Sequence, residues 1–333
     1  MARGDLTDEE WFLIEPHLPL GERGSIPDLR QQFNAVMWRF RTGSPWRDLP
    51  AEYGPWSTAY DRFRSWAKTG LFEQLMQAMI AEAAARGQVD LDLVSVDSTT
   101  ARAHHHAAGM VLDGELVKAL EEATKQEKGL RQRGKTPKTA GAADPTKTGT
   151  GDGGGRRRLR LRRRIRLKAA ELGRSRGGLT SKVHLSADRR CRPLSFVLTP
   201  GQAGDSPQFR AVLSRIRVRL PVDRPRTRPG AVAADKAYSS RGNRAYLRRR
   251  GIKAVIPEKS DQAAHRKKRG SRGGRPISHD PDLYKQRNTA ERCINRIKEW
   301  RGLAFRFDKT PESYLAGLHL RGAILWIRSL QPI

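Results

Sequence analysis

The chain has 333 residues, with 65 lysines and arginines against 35 aspartates and glutamates, a formal charge of +30. That length accommodates two domains, one with a sizeable core, and self-repulsion on this scale calls for a polyanionic partner, nucleic acid first and an anionic membrane second. No apolar run of about 18 residues or more is present, MARGDLTDEE lacks the apolar core of a secretion signal, and Cys191 and Cys293 suggest neither a disulfide framework nor a zinc finger. The expectation is a soluble intracellular protein that works on nucleic acid and not on a membrane.

Residues 1 to 86 read as helices. Thr7 and Glu10 make a capping-box pattern ahead of WFLIEPHL. Leu29, Phe33, Val36, Met37 and Phe40 share one helical stripe, which Gly43 is suited to end. PWRDLPAEYGPWSTAYDRFRSWAKTG then reads as a short helix, a Gly-Pro turn and a second helix capped by Ser57. These are the proportions of a helix-turn-helix, with Arg62, Arg64 and Lys68 free to meet phosphate. Five of the seven tryptophans lie in this segment, and most are expected in its core.

From residue 89 the pattern changes to strands: VDLDLVSVD, LTSKVHLSAD and RPLSFVLTPG, the last followed by a helix in SPQFRAVLSRI. GAVAAD reads as a short buried strand, RGNRAYLRRRG as a helix and IKAVIPEK as a further strand. Two helices close the chain, near 282 to 304 and near 311 to 330. Tightly connected strands followed by alternating strands and helices predict a mixed α/β sheet. Between the first two strands lies an insertion, about residues 107 to 175, whose Gly-, Lys- and Thr-rich part is expected to be disordered. It leads into RRRLRLRRRIRLK, where nine of thirteen positions are basic. Arg156, Arg157, Arg158, Arg162, Arg163 and Arg164 are candidates for an arm along a phosphate backbone, the alternative being a solvated linker.

The stretch VSVDSTTARAHHHAAG, residues 94 to 109, ends an apolar run at Asp97, with a hydroxyl-rich turn expected after it. A single aspartate after a strand is weak evidence. AVAADKAYSS repeats the pattern at Asp235, and the carboxyl ends of neighbouring strands are where ligands gather in α/β sheets. In LYKQRNTAERCINRIKEW, at about 100° per residue, Arg287, Glu291 and Lys298 fall within about 60° of Tyr284. Ala290, Cys293, Ile294, Ile297 and Trp300 fall on the opposite, apolar face. The helix should therefore pack on the sheet by one side and present a carboxylate among cations and a phenol on the other. Taken alone, Arg287 and Glu291 could be a routine i, i+4 ion pair.

Asp97, Asp235 and Glu291, with the Tyr-x2-Arg-x3-Glu-x6-Lys pattern of Tyr284, Arg287, Glu291 and Lys298, resemble the DDE transposases of bacterial insertion sequences, most closely the insertion sequence five family. Further likenesses are DSTTARAHHHAAG, GRSRGGLTSKVHLSADRRCRPLSFVLTPGQAGDSPQF, ADKAYSS and DKTPESYLAGLHL. The N-terminal LTDEEWFLIEPHLP and RTGSPWRDLPAEYGPWSTAYDRFRSWAKTGLFE resemble that family's helical DNA-binding domain. The resemblance covers nearly all of the chain except much of residues 115 to 170, where this insertion is longer than the usual linker.

The resemblance implies a ribonuclease H-like α/β fold, a mixed sheet flanked by helices, over residues 87–333, preceded by a small all-α helix-turn-helix-like domain over 1–86. It implies a bacterial cytoplasmic, nucleoid-associated enzyme that acts on double-stranded DNA at element ends and target site, as a homodimer or higher oligomer. By it, Asp97 and Asp235 are metal ligands, Asp97 bridging, and Glu291 holds a second ion, while Tyr284, Arg287 and Lys298 grip phosphates of the element end. The cofactor implied is Mg2+, two ions, with Mn2+ able to substitute. Such an ion is hard and takes oxygen ligands, and paired ions can serve both the entering and the leaving oxygen of a phosphoryl transfer. His104 to His106 are expected to form a polar or phosphate-facing loop, because three histidines in a row should not all face one ion, and Trp300 is expected in the core rather than as a stacking platform. The rival readings are a catalytically silent transposon-derived DNA-binding protein and a ribonuclease H-like nuclease.

Overall fold

An eleven-residue strand, β1 (Leu93–Ala103), is the spine of the molecule. The computed structural model describes residues 4–19, 26–109, 165–175, 178–220, 222, 224–277 and 280–330. The basic positions 156–164 lie outside these, as does most of the insertion.

β1 runs well past Asp97, where the sequence suggested a turn. Ser98, Thr99, Thr100, Ala101 and Arg102 continue the ladder against His184, Val183, Lys182, Ser181 and Thr180. The hydroxyl-rich stretch is strand because β3 (Gly178–Ala187) supplies an antiparallel partner along its whole length. β-Branched threonines suit a pleated, half-buried surface once such a partner exists. β3 also pairs with β2 (Gly173–Ser175) and β4 (Pro193–Pro200). On its other edge β1 runs parallel to β5 (Ala231–Ala234), which pairs with β6 (Lys253–Val255), and further along it meets β7 (Phe305–Arg306). The result is a seven-stranded mixed sheet with β1 at its centre.

Both faces of the sheet are covered. Successive side chains of a strand point to opposite faces. Ser95 of β1 meets Thr289 of the helix Asn288–Lys298, hydroxyl to hydroxyl at 2.8 Å. Ser98 meets Asp205 at the start of the helix Asp205–Ser214, also at 2.8 Å. Positions 95 and 98 differ in parity, so these two helices flank opposite faces. The single helix expected near 282 to 304 is three pieces: Pro281–Lys285, Asn288–Lys298 and Arg301–Ala304. Trp300 takes an extended conformation between the last two, and its ring is buried as expected.

The N-terminal helices are α1 (Asp8–Ile14), α2 (Leu29–Thr42), α3 (Trp56–Thr69) and α4 (Leu71–Ala85). Thr7 and Glu10 form the expected capping box, and Gly43 ends α2 at φ 73°, a left-handed conformation that suits glycine. α3 starts one residue before the expected Ser57 cap, behind Pro55, with no side-chain cap. Trp66 is buried among Phe33, Phe63 and Phe72, and Trp11, Trp38 and Trp46 pack partly buried around them, but Trp56 is exposed. These helices are not insulated from the sheet. α4 packs on the last helix, Pro311–Ile327, and one continuous apolar core runs from Phe33 and Phe40 to Val94 and Val232.

Two histidines lie within the core. His184 on β3 is fully buried, donating to or accepting from the Thr199 hydroxyl at 2.8 Å, and His319 packs its ring edge-on to Phe196. Burial is the main cause that lowers them, to about 4 and about 3, from an ordinary 6.5; Asp205 opposes it for His184, whereas Arg215 adds to it for His319. A base whose folded pKa is depressed stabilises the fold fully above 6.5, and that stability is lost as pH falls toward the folded value, because the unfolded chain takes the proton the fold refuses. The melting temperature is therefore expected to fall between pH 6.5 and about 4, and less steeply in a His184→Gln/His319→Leu variant. Identical slopes for variant and parent would refute this.

Candidate active site

The site forms where β1 loses one partner before it finds the next. The parallel ladder pairs Val96 with Ala234, and Asp97 and Asp235 are the residues just beyond it. Adjacent strands stand about 4.8 Å apart, so the two aspartates emerge side by side at the carboxyl ends of β1's parallel stretch and β5. β7 joins the same edge of β1 only at Arg102. Between those points that edge is open among the described residues, and Lys298 reaches into the opening, its Nζ donating to the Thr100 carbonyl at 3.2 Å.

Each carboxylate is anchored. Asp97 Oδ1 accepts from the backbone N–H of Ser98 at 2.8 Å, and Asp235 Oδ1 accepts from Ala237 N at 2.7 Å, capping the turn Lys236–Tyr238. Glu291 stands on the helix docked to β1 through the buried Thr289–Ser95 pair. Arg287 ties the two sides together. Its guanidinium donates to Glu291 Oε1 at 2.8 Å and lies 3.8 Å from Asp97 Oδ2. Burial raises the Asp97 carboxyl above its ordinary range, and the Asp235 and Glu291 charges raise it further; the Ser98 N–H and Arg287 oppose them without winning. The ionised Asp97 is thus held at a cost that is set mainly by its burial.

The helix stripe read from sequence survives in part. Arg287, Glu291 and Lys298 do face the β1 opening. Tyr284 does not share their row: it sits on the separate turn Pro281–Lys285, partly buried against Leu93, Ala231, Ala233 and Val255, with the Arg287 guanidinium 5.8 Å from its ring. The spacing of about 100° per residue holds only along a continuous helix, and the break between Lys285 and Asn288 turns Tyr284 onto the sheet. Burial lowers the Lys298 ammonium below its ordinary range.

The histidine run also departs from expectation. β1 gives way at once to the short helix His105–Gly109, which ends the alternation of side chains. His104, His105 and His106 therefore converge, with ring centroids 4.0 to 4.6 Å apart. Among the described residues they are the one trio whose ligand atoms all lie within 4.8 Å of one another; Asp97, Asp235 and Glu291 stand wider, with Arg287 between two of them. On α3, Arg64 and Lys68 are exposed, whereas Arg62 is half-buried and donates to Gln32 at 3.0 Å.

Sequence reasoning missed the group behind Asp97. Asp205 accepts from Ser98 Oγ at 2.8 Å and from Lys182 Nζ at 3.0 Å, with His184 Nδ1 at 3.7 Å. The signal was present in the alternation that puts Ser98, Lys182 and His184 on one face, but the helix covering that face could not be assigned in advance.

Together these features define a class, α/β proteins whose site lies at the carboxyl edge of a mixed sheet, here flanked by a helical unit. Residues 89–316 match the family described as "Transposase DDE domain", and residues 6–76 match "Putative transposase of IS4/5 family". The chain belongs to the DDE transposases, and its sheet is the ribonuclease H-like fold of that domain. It is 31% identical over 150 residues to a Brucella ovis protein described as "Putative transposase for insertion sequence element IS6501", covering 45% of this chain and all of that one. It is 36% identical over 112 residues to a Burkholderia cepacia protein of insertion element IS402, covering 31% of this chain and 76% of that one. A Sinorhizobium fredii protein, y4sN, is 34% identical over 107 residues, covering 31% and 81%. No solved structure matches. No helix among the described residues is long and apolar enough to cross a membrane.

Proposed function

We propose that this transposase binds the terminal inverted repeats of its element and, with two Mg2+ ions, cuts the strand there and joins the freed 3′-hydroxyl to target DNA. Asp97, Asp235 and Glu291 hold the metal. The observation that carries the reading is the pair of aspartates released side by side at the open edge of β1, with Glu291 linked to Asp97 through Arg287. The donor set fits a hard divalent ion: it offers carboxylate oxygens only, and the raised Asp97 carboxyl marks a place where added positive charge is favourable. When bound, such ions supply an activated oxygen nucleophile and charge neutralisation at the leaving oxygen.

The chain's own groups do the rest. The Ser98 and Ala237 N–H groups fix the two aspartates in place, and the Thr289–Ser95 bond fixes the distance of the Glu291 helix from β1. Arg287, already paired with carboxylates, has a planar fork suited to exchange one of them for a phosphate. Lys298 stands two turns from Glu291, about 10 Å along the axis, and serves a neighbouring phosphate. Tyr284 supports Arg287 from beneath. Arg64 and Lys68, with Arg62 in a more structural place, belong to end recognition, and the arginines at 156–164 to sequence-independent affinity. Two protomers pair two ends.

The test is a cutting assay on duplexes carrying the inverted repeats that flank the gene. Cutting that starts with Mg2+ or Mn2+ and stops with chelator is the expected result. Binding without cutting under any divalent ion would favour a silent DNA-binding descendant, and equal cutting of random duplex would favour a simple nuclease.

A further inference from the structure

A strongly basic segment lies just beyond the carboxyl ends of β5 and β6, the edge that also presents Asp235. The helix Ser260–Lys268 has no buried residue and carries His265, Arg266, Lys267 and Lys268 in its last turn. The short turn Gly270–Gly273 follows, so that Lys267, Lys268, Arg269, Arg272 and Arg275 are all exposed, and none forms an ion pair among the described residues. This is not a loose tail. A Cβ at Gly273 would lie 2.1 Å from the Arg266 carbonyl oxygen, so the chain folds back as closely as backbone allows. Gly270 and Gly274 take φ of 54° and 77°, the left-handed conformation that glycine adopts without cost.

Two polar tethers hold the segment. Arg266 makes two bonds to Glu258, at 3.3 and 3.1 Å, and Ser239 donates to Gln262 at 2.8 Å. Ser239 follows the turn that Asp235 caps, so one tether ties the basic segment to the loop leaving the candidate metal site. A helix stabilised by no apolar burial, holding unopposed cations in its last turn and the turn after it, contributes little to the fold. Exposed charges left without an acidic partner are free to meet a phosphate backbone.

The location distinguishes this surface from the one expected to read the element end. The N-terminal helices pack against Arg301–Ala304 and Pro311–Ile327, beyond the Glu291 helix. The basic segment instead follows β6, the strand at the end of the sheet order beyond β5. We propose that residues 260–275 form a second duplex-binding surface, holding target DNA by its phosphates while the N-terminal helices hold the element end. The proposal rests on the transposition reading above, but its binding half can be measured without catalysis.

The variant is Lys267→Gln, Lys268→Gln, Arg269→Gln and Arg272→Gln in the full-length protein. All four side chains are exposed, so melting should not move. Binding of random-sequence duplex is measured against salt concentration. Four lost phosphate contacts should reduce the slope of log K against log salt by about 3 to 4. Joining of a pre-cut repeat end to plasmid is measured against plasmid concentration. The concentration for half-maximal joining should rise about tenfold or more, whereas cutting of the repeat duplex stays within about twofold. An unchanged salt slope overturns the proposal, and so does loss of repeat-end binding in step with loss of random-duplex binding, which would place the segment on the donor DNA. If the parent protein neither cuts nor joins, the transposition reading fails, and the salt slope still decides whether this surface binds duplex.

Discussion

Asp235→Asn should abolish strand cutting while leaving the fold and DNA binding intact. Asn is nearly isosteric with Asp, and its side-chain oxygen can still accept from Ala237 N, so the cap of Lys236–Tyr238 is kept. What disappears is one unit of negative charge at the open edge of β1. A metal ligand worth several kcal/mol in the transition state corresponds to a loss of about 10³-fold or more in rate. Asp97→Asn is the companion with a second readout. Burial and the two neighbouring carboxylates hold the Asp97 carboxyl above its ordinary range, so at neutral pH its ionised form costs the metal-free fold stability. Replacing it by a neutral side chain should raise the melting temperature without metal and remove cutting, and it should erase the stabilisation expected when Mg2+ is added to the parent. A merely structural aspartate would lose stability when replaced. Cutting that persisted in Asp235→Asn would sink the assignment, and a lower melting temperature in Asp97→Asn would count against the electrostatic account of the site.

The parts of this site legible in the sequence were those set by local chemistry. Asp97 and Asp235 could be picked out because an apolar run marks each strand, and the period of the Glu291 helix put Arg287 and Lys298 on the carboxylate side. The capping box at Thr7 and the left-handed Gly43 are local in the same sense. What the sequence could not show depends on partners far along the chain. β1 continues through Ser98–Arg102 because β3, some 80 residues later, lies beside it. Tyr284 leaves the stripe because the helix breaks and the sheet offers its ring an apolar surface. The three histidines converge because a strand turns into a short helix at His105. The basic segment at 260–275 needed no tertiary knowledge to be noticed, since HRKKR stands in the sequence; its place beside Asp235 did.

The junction between the helical unit and the sheet should be the molecule's most vulnerable point, and Asp308→Ala should expose it. Arg39 of α2 and Asp308, just after β7, form a buried pair at 2.9 Å, their side chains only 6% and 5% exposed. The guanidinium also lies 4.5 Å from the Phe40 ring centroid, against which Gly317 of the last helix packs with no room for a Cβ. Removing the carboxylate strands a cation there, and its Nε already has no hydrogen-bond partner. Breaking a buried pair from one side costs about 3–5 kcal/mol, far more than the pair contributes over apolar replacements of similar volume. For a chain of this size that is a drop of roughly 4–7 °C in melting temperature. The double variant Arg39→Met/Asp308→Leu should recover most of the loss, since no buried charge remains. Because Asp308 lies far from Asp97 and Asp235 in the sheet, cutting by Asp308→Ala well below its melting temperature should stay close to the parent's. A single variant that melts with the parent would show that this ion pair does not join the two parts of the core.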